Sequence, residues 1–121
     1  MSSDRPDENL LVDSDELILI TADQASGMPQ ETRQRFAYAD GSVHLLARAG
    51  ETWYRNLETD RGVVVRIQRR GFRGKARLPD ARERAAIVSR TSTLFRRKYG
   101  RRGDPDQEGA ALLPVTIDIQ F

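Results

Sequence analysis

The sequence predicts a mainly β domain, an antiparallel barrel of about six strands with one long and one short helix. Three observations carry this expectation. Apolar residues fall in short runs at 17–22, 36–46, 63–67 and 112–119, bounded by turn residues and too short or too strictly alternating for helices. An Asp40-Gly41 pair stands between two alternating runs, and Asp-Gly is the preferred two-residue type I′ hairpin loop. A single long stretch, 80–100, carries apolar residues at helical spacing with a cap at each end. At 121 residues the chain is one domain long.

Taken in order, residues 1–15 read as a mobile acidic tail and residues 16–121 as the folded domain. Leu17 to Ala22 is a buried first strand, and Gly27 and Pro29 mark the turn after it. The Asp40-Gly41 loop then sets a register: Tyr38 pairs with Val43, Phe36 with Leu45, Arg35 with Leu46 and Arg33 with Arg48. Phe36, Tyr38, Val43 and Leu45 form its core face, while Arg33, Arg35, His44, Leu46 and Arg48 share the other. ETWYRNLETDRG has room for a short helix ending before Gly62.

A second hairpin with an Arg70-Gly71 loop sets Val63, Val65 and Ile67 against Leu78, Ala76 and Gly74. Its opposite face carries Arg66, Arg73, Lys75 and Arg77. Asp80 caps the long helix and Glu83 completes a capping box. Ile87, Thr91, Leu94, Phe95 and Tyr99 form its buried stripe, and Gly100 ends it. RRGDPDQEG is a polar loop, and Leu112 to Ile119 is a last strand that Pro114 places at an edge or a bulge.

Composition narrows the chemistry. Of the 20 bases, 19 fall after residue 16, with 12 of the 18 acids, so a body of charge +7 follows an acidic start and suits an anionic partner. There is no cysteine and His44 is the single histidine, so thiolate sites, a cysteine nucleophile and a histidine-built zinc site are excluded, and no metal is expected. No Ser-His-Asp spacing appears, and His44 reads as a surface or interface residue rather than a general base. The start has no cationic stretch followed by an apolar one, and no run reaches membrane-spanning length; the expected compartment is the cytoplasm.

The hairpin face points to a ligand. Like charges directly opposite on a sheet cost up to about 1 kcal/mol, yet the expected register sets Arg33 across from Arg48 with Arg35 alongside. A phosphate would relieve this, since arginine binds it in bidentate fashion; Glu31 or a partner subunit's acid is the alternative. Gly50-Glu51-Thr52-Trp53 opens the short helix beside that strand, with free N–H groups toward the same anion. Trp53 and Tyr54 offer flat faces either to a ring system or to the core.

TWYRNLETDRGVVVRI, followed by GFRGKAR, resembles the FMN-binding split-barrel superfamily, which includes pyridoxamine-phosphate-oxidase-like proteins and deazaflavin-dependent nitroreductase relatives. The likeness runs from about Glu16 to Ile119. It implies a six-stranded split barrel and a homodimer that binds FMN or a deazaflavin coenzyme at the subunit interface. Carried over by position, the cofactor-binding residues are Arg33 and Arg35 from strand two, Ala47 and Arg48 from the end of strand three, and Trp53, Tyr54 and Asn56 from the short helix. Two departures stand out. Trp53 holds the place of a lysine in the oxidase branch, and only Ala49 to Thr52 remain of a longer glycine-containing loop in the nitroreductase branch.

The implied activity is an oxidoreductase passing hydride to a small acceptor such as a quinone, a nitro compound or an activated alkene. The cofactor carries that chemistry, so no acid–base constellation is needed and no catalytic residue is assigned. A cofactor-free split-barrel module for binding or dimerisation is the alternative. Nucleic-acid binding by Arg82, Arg84, Arg90, Arg96, Arg97, Lys98, Arg101 and Arg102, on or just after the long helix, is a third reading, opposed by their spread around its non-core side without a base-reading Asn/Gln set.

Overall fold

A computed structural model describes residues 6–100 and 112–120. Its elements are α1 (Pro6–Asp13), β1 (Glu16–Ala22), β2 (Pro29–Arg35), β3 (Ala37–Ala39), β4 (Ser42–Arg48), α2 (Thr52–Thr59), β5 (Gly62–Ile67), β6 (Arg70–Arg77), α3 (Ala81–Tyr99) and β7 (Leu112–Gln120). All seven strands join one antiparallel sheet in the order β2-β1-β5-β6-β7-β4-β3. The sheet's two edges, β2 and β3, are separated in sequence by Phe36 alone, so the sheet rolls into a half-barrel whose edges meet in one bent strand.

That bend corrects the first hairpin. Asp40 (φ 55°) and Gly41 (φ 79°) do form the turn, and Tyr38 pairs with Val43 and Ala39 with Ser42 in the expected register. Before Phe36, however, the strand leaves β4 and pairs with β1, so Arg33 lies opposite Ile18 and Arg35 opposite Glu16, while Arg48 lies opposite Leu112. The physical reason is a second tight turn. Asp23 Oδ2 accepts hydrogen bonds from the Ala25 and Ser26 amides and the Ser26 hydroxyl, and Gly27 takes φ 74° and donates to the Asp23 carbonyl. This turn folds β2 back on β1, so residues 29–39 serve two neighbours, one on each side of the bend.

At Phe36 the backbone groups that would have joined a ladder are satisfied from α3. The Phe36 N–H donates to Tyr99 Oη at 3.2 Å, and its carbonyl accepts from Lys98 Nζ at 3.0 Å. The Tyr99 hydroxyl also lies within hydrogen-bond distance of the Phe36 and Asp15 carbonyls.

The second hairpin turns two residues earlier than expected, at Gln68-Arg69, with Gln68 at φ 57°. Val65 therefore faces Phe72 and Val63 faces Gly74, a shift that preserves parity, so Arg66, Arg73, Lys75 and Arg77 stay outward. Core packing outweighs glycine's turn preference here. Phe72 reaches the core, and at Gly74 a Cβ would lie 2.6 Å from Ile117 Cγ2, so glycine is needed inside the sheet rather than at its tip.

β7 is a central strand, not an edge, which corrects that expectation. β6 nevertheless ends opposite Thr116, so at Pro114 only β4 runs alongside, and proline's missing N–H falls where β7 has one neighbour. α3 packs on β7, β4 and β3 through Thr91 and Phe95. Asp80 accepts the Glu83 amide at its start, and Gly100 (φ 68°) closes it. The loop at 101–109 lies outside the described residues, as do residues 1–5.

Within the segment expected as a tail, α1 docks Leu11 fully into the core, and Tyr38 Oη donates to Glu8 Oε2 at 2.8 Å. The core proper gathers Leu17, Leu19, Val43, Leu45, Leu57, Val65, Val115 and Ile117. No described helix is long and apolar enough to cross a membrane.

Candidate functional site

The short-helix residues of the family likeness sit at the corner between β4, α2 and the β1–β2 turn. Trp53, Tyr54 and Asn56 are 3%, 8% and 0% exposed, so they belong to the core rather than to an open platform. Trp53 and Tyr54 pack edge to face, with ring centroids 6.4 Å apart. Asn56 is fully committed within the chain. Its Nδ2 donates to Thr21 Oγ1 (3.0 Å) and Gln30 Oε1 (2.6 Å), and its Oδ1 accepts the Gln24 amide (3.1 Å). It thereby ties α2 to both strands of the β1–β2 hairpin.

An anion does sit at the start of α2, and the chain supplies it. Glu51 Oε1 accepts the Arg48 amide at 2.8 Å, and its Oε2 accepts Trp53 Nε1 at 2.7 Å. The carboxylate ties the end of β4 to the Trp53 indole and caps no α2 backbone N–H.

The expected arginine cluster is not assembled within one protomer. Arg33 is 72% exposed on β2 and pairs with Glu16 (3.7 Å), and Arg48 is exposed at the far end of β4. The Arg35 guanidinium lies over the Tyr99 ring, 5.1 Å from its centroid, and Ala47 is buried in the core. Sequence reasoning missed the role of Glu51, although a glutamate just before a helix and two residues from a tryptophan was a visible signal.

Two titratable groups are shifted. His44 is half-buried and burial pushes its pKa below the usual imidazole value, with the cations Arg77 and Arg90 adding to the effect against the Ala39 carbonyl. It is a neutral packing residue. Burial pulls Lys98 down to about 8, against Asp15 and Asp13, which raise it. The folded chain therefore binds this proton less tightly than the unfolded chain does. Stability is expected to rise as pH increases from about 8 toward the ordinary lysine value of 10.5, until Tyr99, raised by burial, reverses the trend above about 10. Urea unfolding midpoints across that window check this, and Lys98→Met should flatten the rise. A parent protein that loses stability from about pH 8 to 9.5 would contradict the burial of Lys98 against Phe36.

A groove lies elsewhere, on the outward face of β1, β5 and β6. It is open, about 520 Å³ in volume, with Ile20, Ala22 and Val64 among its apolar lining and Arg73 and Lys75 on β6. Sequence analysis placed these cations on one face but gave them no role.

The sequence model of one family, described as F420H(2)-dependent quinone reductase, matches residues 7–118. No curated protein gives a significant match. Among solved structures, a conserved hypothetical protein from Mycobacterium tuberculosis superposes with a TM-score of 0.78 at 20% identity, over 100% of this chain and 82% of that one. A putative nitroimidazole antibiotic resistance protein from Bacteroides thetaiotaomicron gives a TM-score of 0.75 at 13% identity, over 99% and 82%. A structure described as an F420 reductase gives 0.67 at 18% identity, over 94% and 93%. At such identities these structures show the shared split-barrel fold alone.

Proposed function

Because the chain belongs to the F420H(2)-dependent quinone reductase family, we propose that it is a deazaflavin-dependent oxidoreductase that passes hydride from the reduced coenzyme to a small organic acceptor. Quinones, nitro compounds and activated alkenes are the acceptor classes this reading allows. The observation that carries it is the family match, which spans all but the first six and last three residues. FMN has the superfamily resemblance behind it and nothing more specific.

The sequence-named phosphate cradle does not fit the coenzyme within one protomer. Glu51 is engaged by the Arg48 amide and the Trp53 indole, Arg33 is paired with Glu16, and Asn56 has its hydrogen bonds inside the chain. No step of the reaction is therefore routed through that corner. Trp53, Tyr54 and Asn56 hold α2 against the core, while Arg35 and Arg48 keep exposed side chains. A cytoplasmic homodimer is the assembly this reading favours. Half-buried Leu46 on the outward face of β4 supplies apolar surface for it.

The test is oxidation of reduced deazaflavin coenzyme by the purified full chain, followed by absorbance with one acceptor from each class. Turnover with at least one class is expected. Oxidation no faster than in buffer with all of them, while a reduced-FMN assay succeeds, would replace the coenzyme; failure of both assays would favour the cofactor-free module.

A further inference from the structure

We propose that the groove on the outward face of β1, β5 and β6 binds a flat, apolar organic anion, with Arg73 and Lys75 holding its charged group and Ile20, Ala22 and Val64 its body. The sheet register builds this site directly. Val64 lies between Ile20 and Arg73, and Gly62, which has no side chain to fill the space, lies opposite Lys75. Arg73 and Lys75 are two apart on one strand, so both project to the same outward face.

The charge pattern of that face singles them out. Arg33 is paired with Glu16 at 3.7 Å, Arg66 with Glu31 at 3.0 Å and Arg77 with Asp118 at 2.8 Å. Arg73 and Lys75 have no acidic partner among the described residues. The nearby acids are already engaged. Asp118, opposite Lys75 in register, accepts from Ser42 and Arg77, and Asp60, which also lines the groove, accepts the Gly62 amide.

Two like charges on one sheet face repel, and here they border half-exposed apolar side chains in a groove of about 520 Å³, within the usual small-molecule range. A ligand with an acid group on a flat apolar body answers both features at once. An acceptor or effector carrying an acid group has this chemistry, and so does the coenzyme proposed above; in that one respect the inference rests on the functional reading.

The probe is anilinonaphthalene sulfonate, a flat apolar anion that fluoresces when it binds, compared with phenylnaphthylamine, its relative without the sulfonate. The full chain should bind the sulfonate saturably. Arg73→Gln with Lys75→Gln should weaken that binding tenfold or more, change the neutral probe's affinity less than about twofold, and leave the melting curve in place because both side chains are exposed. Arg66→Gln, which removes a cation paired with Glu31 on the same face, should change neither probe. Unchanged sulfonate binding in the double variant, or equal loss of both probes, overturns the proposal.

Added deazaflavin coenzyme separates the sources. Displacement of the sulfonate from the parent identifies the coenzyme as the occupant. Charge-dependent sulfonate binding without displacement supports the site with a different ligand, and it stands even if the functional reading fails.

Discussion

Phe36→Ala is expected to lower folding stability by about 3–5 kcal/mol, the range for truncating a fully buried phenylalanine. The side chain is 0% exposed and sits where the strand passes from one sheet edge to the other. Lys98 Nζ lies 3.7 Å from its ring centroid, so truncation also removes the apolar face against which that ammonium is held. Phe36→Leu keeps most of the volume and should cost less than half as much. Guanidinium unfolding of the two variants checks this. A loss below about 1.5 kcal/mol for alanine would mean that the bend is not where the half-barrel is held together.

Asn56→Leu is expected to cost about 2–4 kcal/mol, although leucine is similar in volume and more apolar. The substitution strands the Gln24 amide, Thr21 Oγ1 and Gln30 Oε1, of which Thr21 is itself buried. A stranded buried polar group costs roughly 1–3 kcal/mol, more than a made hydrogen bond contributes. The loss should be accompanied by faster hydrogen exchange at Gln24, where the side-chain acceptor is removed. A variant as stable as the parent would show that Asn56 is replaceable packing and free for a ligand-binding role.

What could be read from the sequence was local. Asp40-Gly41, the Asp80 and Gly100 caps and the Thr91/Phe95 stripe each depend on residues a few positions apart, and all are present. What could not be read was competition between partners. Residues 29–35 alternate well enough to pair with either β1 or β4, and the Asp23 turn decides the matter by hydrogen bonds that composition alone does not rank. The error then spread to the site, because the Arg33–Arg48 pairing was a consequence of the register.

Likewise, Arg70-Gly71 is the better turn pair in isolation, but Phe72 opposite Val65 and the closeness of Gly74 to Ile117 set the turn two residues earlier. Residues 1–15 read as a tail from their polar, charged composition, yet one fully buried leucine, Leu11, and the Glu8–Tyr38 hydrogen bond dock α1. The W-Y-x-N-L string pointed correctly to the family, and its residues turn inward to pack α2 on the core.

Equilibrium titration of the purified full chain with oxidised deazaflavin coenzyme, with FMN as comparator, tests the central claim most directly. Saturable binding of the deazaflavin, at least tenfold tighter than that of FMN, is the predicted result. Tighter binding of FMN, or no binding of either, would contradict it.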